Sequence, residues 1–478
     1  GGNLGMTQRG RIEYALQGGL CNTDFIDNSA GVDCSDHEVN IKILLNELVS
    51  AGDMTGKQRN ALLEKLIDPV AALVLRNNFR QAQALSVAQF DATERIAEHQ
   101  TVIQALEGAK LLDRKLEYLP SDDEIAERRG RGEGLTRPEY AILMSYLKGM
   151  LKEQLVQDEL YTDPYIVASV EGAFPDALRK KYATQIYQHK LLPDIVATQM
   201  ANNVVNYMGL SFIHRLREST GGSAGEVLKA YTFARDVFDI VPRWQAIEQL
   251  QHLPSAMQMH MMRDLMRLGR RATRWALRNR RQHLDIEKEI TFFKPQIEEI
   301  ANSILSLLRG RAIDRWRDRF DRLREANVPE DVAHQSASSF VMYSCLAIID
   351  AAQHADAPLL EVADVYFDVS QQLDLDWFAT QLIELKIDNQ WQAMARETFM
   401  DDLDWQHRAI TVNVLQCMRA MACDLEGCRE TWQQQNAAYI ERWRRVMGQL
   451  QSADNVDFAM YSVATRELFD LAQASAFN

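Results

Sequence analysis

Apolar residues recur every three or four positions along most of this chain, and only the first ~50 residues depart from that helical rhythm. There, Cys21–Ile26 reads as a short strand that ends at a polar turn. After the turn, Val39, Ile43, Leu45 and Val49 predict a helix over Glu38–Val49. One strand is not stable alone, so this strand-turn-helix unit is expected to join a sheet supplied by preceding sequence or by a partner.

From Thr55 onward helix signals dominate. Thr136-Arg137-Pro138-Glu139 forms a capping box with proline in the first turn, and it predicts the start of a helix through "YAILMSYLKGMLKEQL". The preceding stretch Leu119–Gly134, charged and glycine-containing, reads as a connector between helical bodies. Ile195, Thr198, Ala201, Val205, Met208 and Phe212 predict a long amphipathic helix, which "STGGSAG" at Ser219–Gly225 stops. Ile313, Trp316, Phe320 and Leu323 repeat the spacing before Pro329-Glu330-Asp331 opens a further helix. No fixed period marks a solenoid.

Composition adds bounds to this picture. The 478 residues are 46% hydrophobic and 25% charged, the balance of a folded globular protein. A net charge of −14 argues against a general polyanion binder, and no nucleic-acid partner is expected. The six cysteines, at 21, 34, 345, 417, 423 and 428, form no CxxC pair, so free thiols and a cytoplasmic location are expected. No apolar run approaches the ~18 residues of a spanning helix, so no membrane partner is expected. The amino end lacks an initiator Met and opens within a glycine-rich stretch, as though cut from a longer chain.

Candidate chemistry is sparse. Asp33 and His37, four apart near a helix start, could face a metal, but ion pairing and dipole complementation explain them as well, and no metal is expected. Arg263–Arg281 holds eight arginines, five of them (Arg263, Arg267, Arg270, Arg274, Arg278) in a stripe opposite Leu265, Leu268, Ala272 and Trp275. The stripe would suit phosphates, yet an acidic chain can neutralise it internally, and packing is the reading preferred. His189, His214, His252 and His260 accompany no nucleophile in an elbow motif, and no GxGxxG, Walker loop or HExxH occurs. The turn "DNSAG" at Asp27–Gly31 is different. A strand ending there and entering a helix would place backbone N–H groups at the carboxyl edge of a sheet, with Gly31 leaving room for a ligand and Ser35 about one turn into the helix.

At these residues the chain resembles the glutamate dehydrogenases, specifically the large bacterial NAD-dependent type with a long carboxy-terminal helical extension. Gly1-Gly2-Asn3 stands for that family's GAN loop, and Asp24 with "NSAGVDCSDHE" stands for its NAGGV, two residues, Ser, two residues, Glu motif. Gly5 replaces a usual proline, Thr23 precedes Asp24 where proline is common, and Ser29-Ala30 replaces Ala-Gly. The segments "MTGKQRNALLEKL", "VLRNNFRQAQALS", "GLTRPEYAILMSY", "HKLLPDIVATQMANNVVNYMG" and "AYTFARDVF" resemble the extension of the large type.

The resemblance implies a mainly α chain: the carboxy-terminal end of an α/β (Rossmann-like) catalytic domain over residues 1–52, followed by an all-α helical domain over 53–478, with subdivisions near 118–135 and 300. It implies that Asn3 and Asn28 contact the nicotinamide end of NAD, that Val32 walls the substrate side chain and that Ser35 binds the glutamate γ-carboxylate. L-glutamate, 2-oxoglutarate and ammonia are the implied small-molecule partners, a homo-oligomer the implied assembly. The catalytic Lys and Asp, the substrate-binding lysines and the dinucleotide fingerprint belong to sequence upstream of Gly1, so this segment alone is expected to be inactive. The competing expectation is a helical scaffold that uses the arginine helix as its binding face.

Overall fold

The computed structural model describes residues 5–387, 389–453 and 456–474. They fold almost entirely as helices, with no strand among the described residues. Contacts divide them into two compact units. The first holds the described residues up to Arg235 together with Ser255–Glu287; the second holds Asp236–Pro254 and the described residues from Lys288 on.

The first unit opens with eight helices: α1 (Gln8–Leu16), α2 (Asp24–Asp27), α3 (Ser29–Ser50), α4 (Gly56–Lys65), α5 (Ile67–Phe90), α6 (Ile96–Gly108), α7 (Asp122–Gly130) and α8 (Arg137–Gln157). The expected strand at Cys21–Ile26 is absent. Thr23 instead starts the single turn α2, and α3 begins at Ser29 rather than near Glu38. The physical reason lies in hydrogen bonding: an extended segment needs a neighbouring strand, whereas Arg11 reaches the Asn22 carbonyl at 2.8 Å and pairs with Asp24, which suits a compact turn. An α/β architecture is therefore not present in the described part of residues 1–52.

Helix α3 buries His37, Ile41, Leu44, Leu45 and Leu48, a three-and-four-residue stripe that packs on α5. The capping box at the start of α8 forms as expected, and its acid does more than cap. Glu139 accepts from the Thr136 backbone N–H at 2.6 Å and also receives both Nη atoms of Arg128 on α7. The charged stretch read as a connector thus contains a helix whose arginine is locked to the next one.

The arginine-rich segment is the helix Ser255–Asn279 and the short turn that follows it. Its apolar side buries Leu265, Leu268, Ala272 and Trp275 in the first unit. Its arginines find acids and acceptors there: Arg263 meets Asp91 at 2.9 Å, Arg274 donates to Ser219 at 2.6 Å and Arg281 pairs with Glu226 at 2.7 Å. Burial by itself would raise the Glu98 carboxyl. Arg215, Arg95 and Arg270 outweigh it and hold that carboxyl well below the usual range.

The second unit is a bundle around the long helix Gln390–Met421, against which the helices Ser344–Ala355, Leu359–Gln372 and Phe458–Ala474 pack. Polar groups inside it are paired. Asp350 is clasped by Arg408, the His407 ring stacks on Tyr366 while its Nε2 lies 2.9 Å from the Tyr366 carbonyl, and Trp443 donates to the Leu373 carbonyl at 2.9 Å. No helix among the described residues is long and apolar enough to cross a membrane.

Candidate functional site

Asn28, Val32 and Ser35 are four and then three residues apart, so one helical face carries all three. Asn28 is the hinge between α2 and α3, with φ −111° and ψ 20°, outside the helical region. Val32 is 70% exposed although it is apolar, and Ser35 is exposed beside it. Ser35 lies in the second turn of α3, one turn deeper than the sequence suggested. Asn3 lies outside the described residues.

The expected open turn at Gly31 is helical, and its backbone N–H points back to the Asn28 carbonyl at 3.4 Å. Glycine still leaves the surface clear, because a Cβ built there would meet nothing within 4 Å. The face available to a ligand is therefore a flat helical wall of one amide, one branched aliphatic group and one hydroxyl.

The opposite side of α3 is anchored by polar contacts that sequence spacing did not single out. Asn78 on α5 donates to the Ile26 carbonyl and to Ser29 Oγ, both at 2.8 Å, which fastens the α2–α3 junction. Asn77 donates to Asp33 at 3.0 Å. Arg137, from the capping-box motif, reaches Asn22, Ser86 and the Ala82 carbonyl, and so ties the segment before α2 to α5 and α8. The signal was present in the sequence as adjacent asparagines in "VLRNNFRQ", but it has no periodicity to betray a partner three dozen residues or more away.

Asp33 and His37, the pair weighed as metal ligands, serve this anchorage. Asp33 accepts from Asn77 and lies 3.7 Å from His37 Nε2, and His37 Nδ1 meets the Ala173 carbonyl at 2.9 Å. Among the described residues, no group of three or more His, Cys, Asp or Glu side chains is arranged to hold a metal. Nearby, the Lys148 ammonium on α8 is buried with no hydrogen-bond partner. Burial pushes its pKa down to about 7 against the opposing pull of Asp33. Of the histidines noted in the sequence, His189 bonds the Asn40 carbonyl of α3 at 3.0 Å, His214 lies 3.4 Å from Glu218 and His260 packs edge-on against Phe90.

Comparison with known proteins places the chain in a family. The family model described as "Glutamate dehydrogenase, C-terminal" matches residues 132–470. The chain belongs to this glutamate dehydrogenase family. A second model, "Bacterial NAD-glutamate dehydrogenase, catalytic domain", matches residues 1–88, the stretch that contains α3 and nearly all of α5. Curated relatives named NAD-specific glutamate dehydrogenase include proteins of Pseudomonas aeruginosa, 50% identical over 99% of this chain, and Halomonas elongata, 42% identical over 100% of this chain. A Mycobacterium tuberculosis protein of the same name is 35% identical over 99% of the chain. The chain spans 29% of the length of each of these glutamate dehydrogenases.

Proposed function

We propose that this chain is part of an NAD-dependent glutamate dehydrogenase, which oxidises L-glutamate to 2-oxoglutarate and ammonia. The observation that carries the reading is the match of the catalytic-domain family to residues 1–88, within which the half-buried Asn28 at the start of α3 lies in register with the exposed Val32 and Ser35. In this reading α3 supplies one wall of the glutamate and nicotinamide cleft. Ser35 donates to the substrate γ-carboxylate, Val32 covers its methylene groups, and Asn28, with Asn3, faces the nicotinamide amide.

The residues fit such ligands in chemistry. A carboxylate needs a donor, a methylene chain an apolar wall, and a carboxamide a group that both donates and accepts. NAD supplies the hydride acceptor, and the dinucleotide fold and proton-transferring groups come from the remainder of the longer enzyme. Residues 1–52 then form the end of the catalytic domain, here helices and turns without a strand where described, and 53–478 a helical domain with subdivisions near 118–135 and 300. The assembly is a cytoplasmic homo-oligomer.

The packing of the arginine helix supports this reading over a scaffold whose binding face is that helix, since Arg263 is engaged by Asp91, Arg270 acts on Glu98 and Arg274 donates to Ser219. Steady-state kinetics of the full-length enzyme with Val32→Asp test the proposal. A carboxylate placed beside the substrate chain should raise the KM for glutamate and leave that for NAD nearly unchanged. An unaltered glutamate KM in the folded variant would remove α3 from the cleft.

A further inference from the structure

Three of the six cysteines gather at one corner of the second unit. The helix Gln390–Met421 ends there, Ala422 turns the chain in the left-handed region with φ 51°, and the helix Leu425–Gln435 starts after Asp424. The turn is closed at both ends: the Cys423 N–H meets the Met418 carbonyl at 3.1 Å, and the Asp424 carboxylate accepts from the Gly427 N–H at 2.9 Å.

This reversal lays the second helix back on the first. Cys428 Sγ lies 3.9 Å from the Val414 carbonyl, one helical turn before Cys417, and beside the thiols of Cys417 and Cys423. Cys428 is fully buried, at 0% exposure, whereas Cys417 and Cys423 are half-buried and reach solvent. Cys417 also lies 3.7 Å from the Met421 sulfur, so the corner is rich in polarizable groups. All three thiols are free.

We propose that this corner is an oxidative modification site, at which a hydroperoxide converts Cys417 and Cys428 into a disulfide. The order of events follows from access and ionisation. Burial, and then the neighbouring thiols of Cys417 and Cys423, push the Cys428 thiol up from its ordinary value, so it stays protonated and is not the first nucleophile.

The Cys417 thiolate, which solvent reaches, attacks hydrogen peroxide. An S–O bond forms, the O–O bond breaks and water leaves, giving a sulfenic acid. The Cys428 sulfur then attacks the Cys417 sulfur. The S–O bond breaks, and the departing hydroxide takes the Cys428 proton as a second water. Two thiols lose two electrons and the peroxide gains them. Cys417 is the partner because it sits on the long helix Gln390–Met421 one turn after the Val414 carbonyl that Cys428 Sγ contacts. The bond would join the two helices across the turn.

The native chain is treated with hydrogen peroxide, alkylated in denaturant, and cleaved after Arg and before Asp. Cleavage before Asp424 separates Cys423 from Cys428, so linked peptides name the partners. A Cys417–Cys428 peptide pair should appear with peroxide and disappear after a dithiol reductant. In Cys417→Ser, a half-buried position whose change spares the core, Cys428 should remain alkylated after the same treatment. Cys428 that stays alkylatable in the wild-type chain, or that links to any other cysteine, overturns the proposal.

Discussion

Arg128 holds Glu139 in a two-point contact, Nη1 at 2.8 Å and Nη2 at 2.9 Å, with both side chains at 2% exposure or less. The carboxylate simultaneously caps α8 through the Thr136 N–H and hydroxyl, so one acid completes a helix start and neutralises a buried guanidinium. Removing one member of such a pair leaves the other charged in a dry site. Glu139→Gln should therefore cost about 3–5 kcal/mol, read as a lower denaturation midpoint in urea. The double variant Arg128→Met/Glu139→Leu should lose less than the sum of the two single changes. Strict additivity would show that the two charges do not depend on each other.

Ser35 separates a ligand contact from a structural role. Hydrogen bonds to charged groups contribute roughly 1.5–3 kcal/mol, so Ser35→Ala in the full-length enzyme should lower kcat/KM for glutamate by about ten- to a hundredfold. Affinity for NAD should hardly change, because Asn28 and Asn3 are the residues assigned to the cofactor. An unchanged glutamate kcat/KM in a folded enzyme removes Ser35 from the substrate site.

Activity of the isolated segment is a separate question. The 478-residue chain, purified alone, should yield no NADH from L-glutamate and NAD while keeping a strongly helical circular dichroism spectrum. Turnover in the absence of any other polypeptide would place a complete active site within it.

Lys148 makes stability depend on pH in a defined sense. Its folded pKa, about 7, lies below the ordinary lysine value of 10.5, so between those values the unfolded chain binds more protons than the folded one. Stability from this group is therefore lowest below pH 7 and rises as pH increases towards 10.5. Lys148→Met should raise the unfolding temperature at pH 6 by roughly a few degrees and flatten the dependence above pH 7. A variant no more stable than the wild type at pH 6 would mean that the buried ammonium costs nothing.

The arginine helix gives a further test. Arg274 is only 6% exposed, and Arg270 acts on Glu98, so Arg270→Glu with Arg274→Glu should place like charges together and bury an unpaired carboxylate. The double variant should unfold at least several degrees lower by circular dichroism. An unfolding temperature equal to that of the wild type would contradict the packed assignment.

Local signals in the sequence were enough for the helix that starts after Thr136, because apolar spacing and the capping box act within one or two turns. They were not enough for the single long helix expected through Phe212: Gly209, at φ 86°, breaks it into Leu192–Met208 and Phe212–Thr220. They were also enough for the motif "NSAGVDCSDHE", whose spacing puts Asn28, Val32 and Ser35 on one face as soon as the segment is helical. The segment Cys21–Ile26 was misread because six residues carry too little periodicity to separate a strand from a turn, and the deciding contacts came from Arg11. The chain alone thus determined that most of it is helical, since helical spacing depends on neighbours a few residues apart, but not which face of α3 is buried: Leu45 of the expected stripe is in the core, whereas Val39 is exposed. Only the tertiary structure decided that Asn78 would fasten the α2–α3 junction, that Arg128 would meet Glu139, and that Lys148 would lose its water beside Asp33. Those outcomes depend on desolvation and pairing between distant segments, and neither quantity exists until the helices have packed.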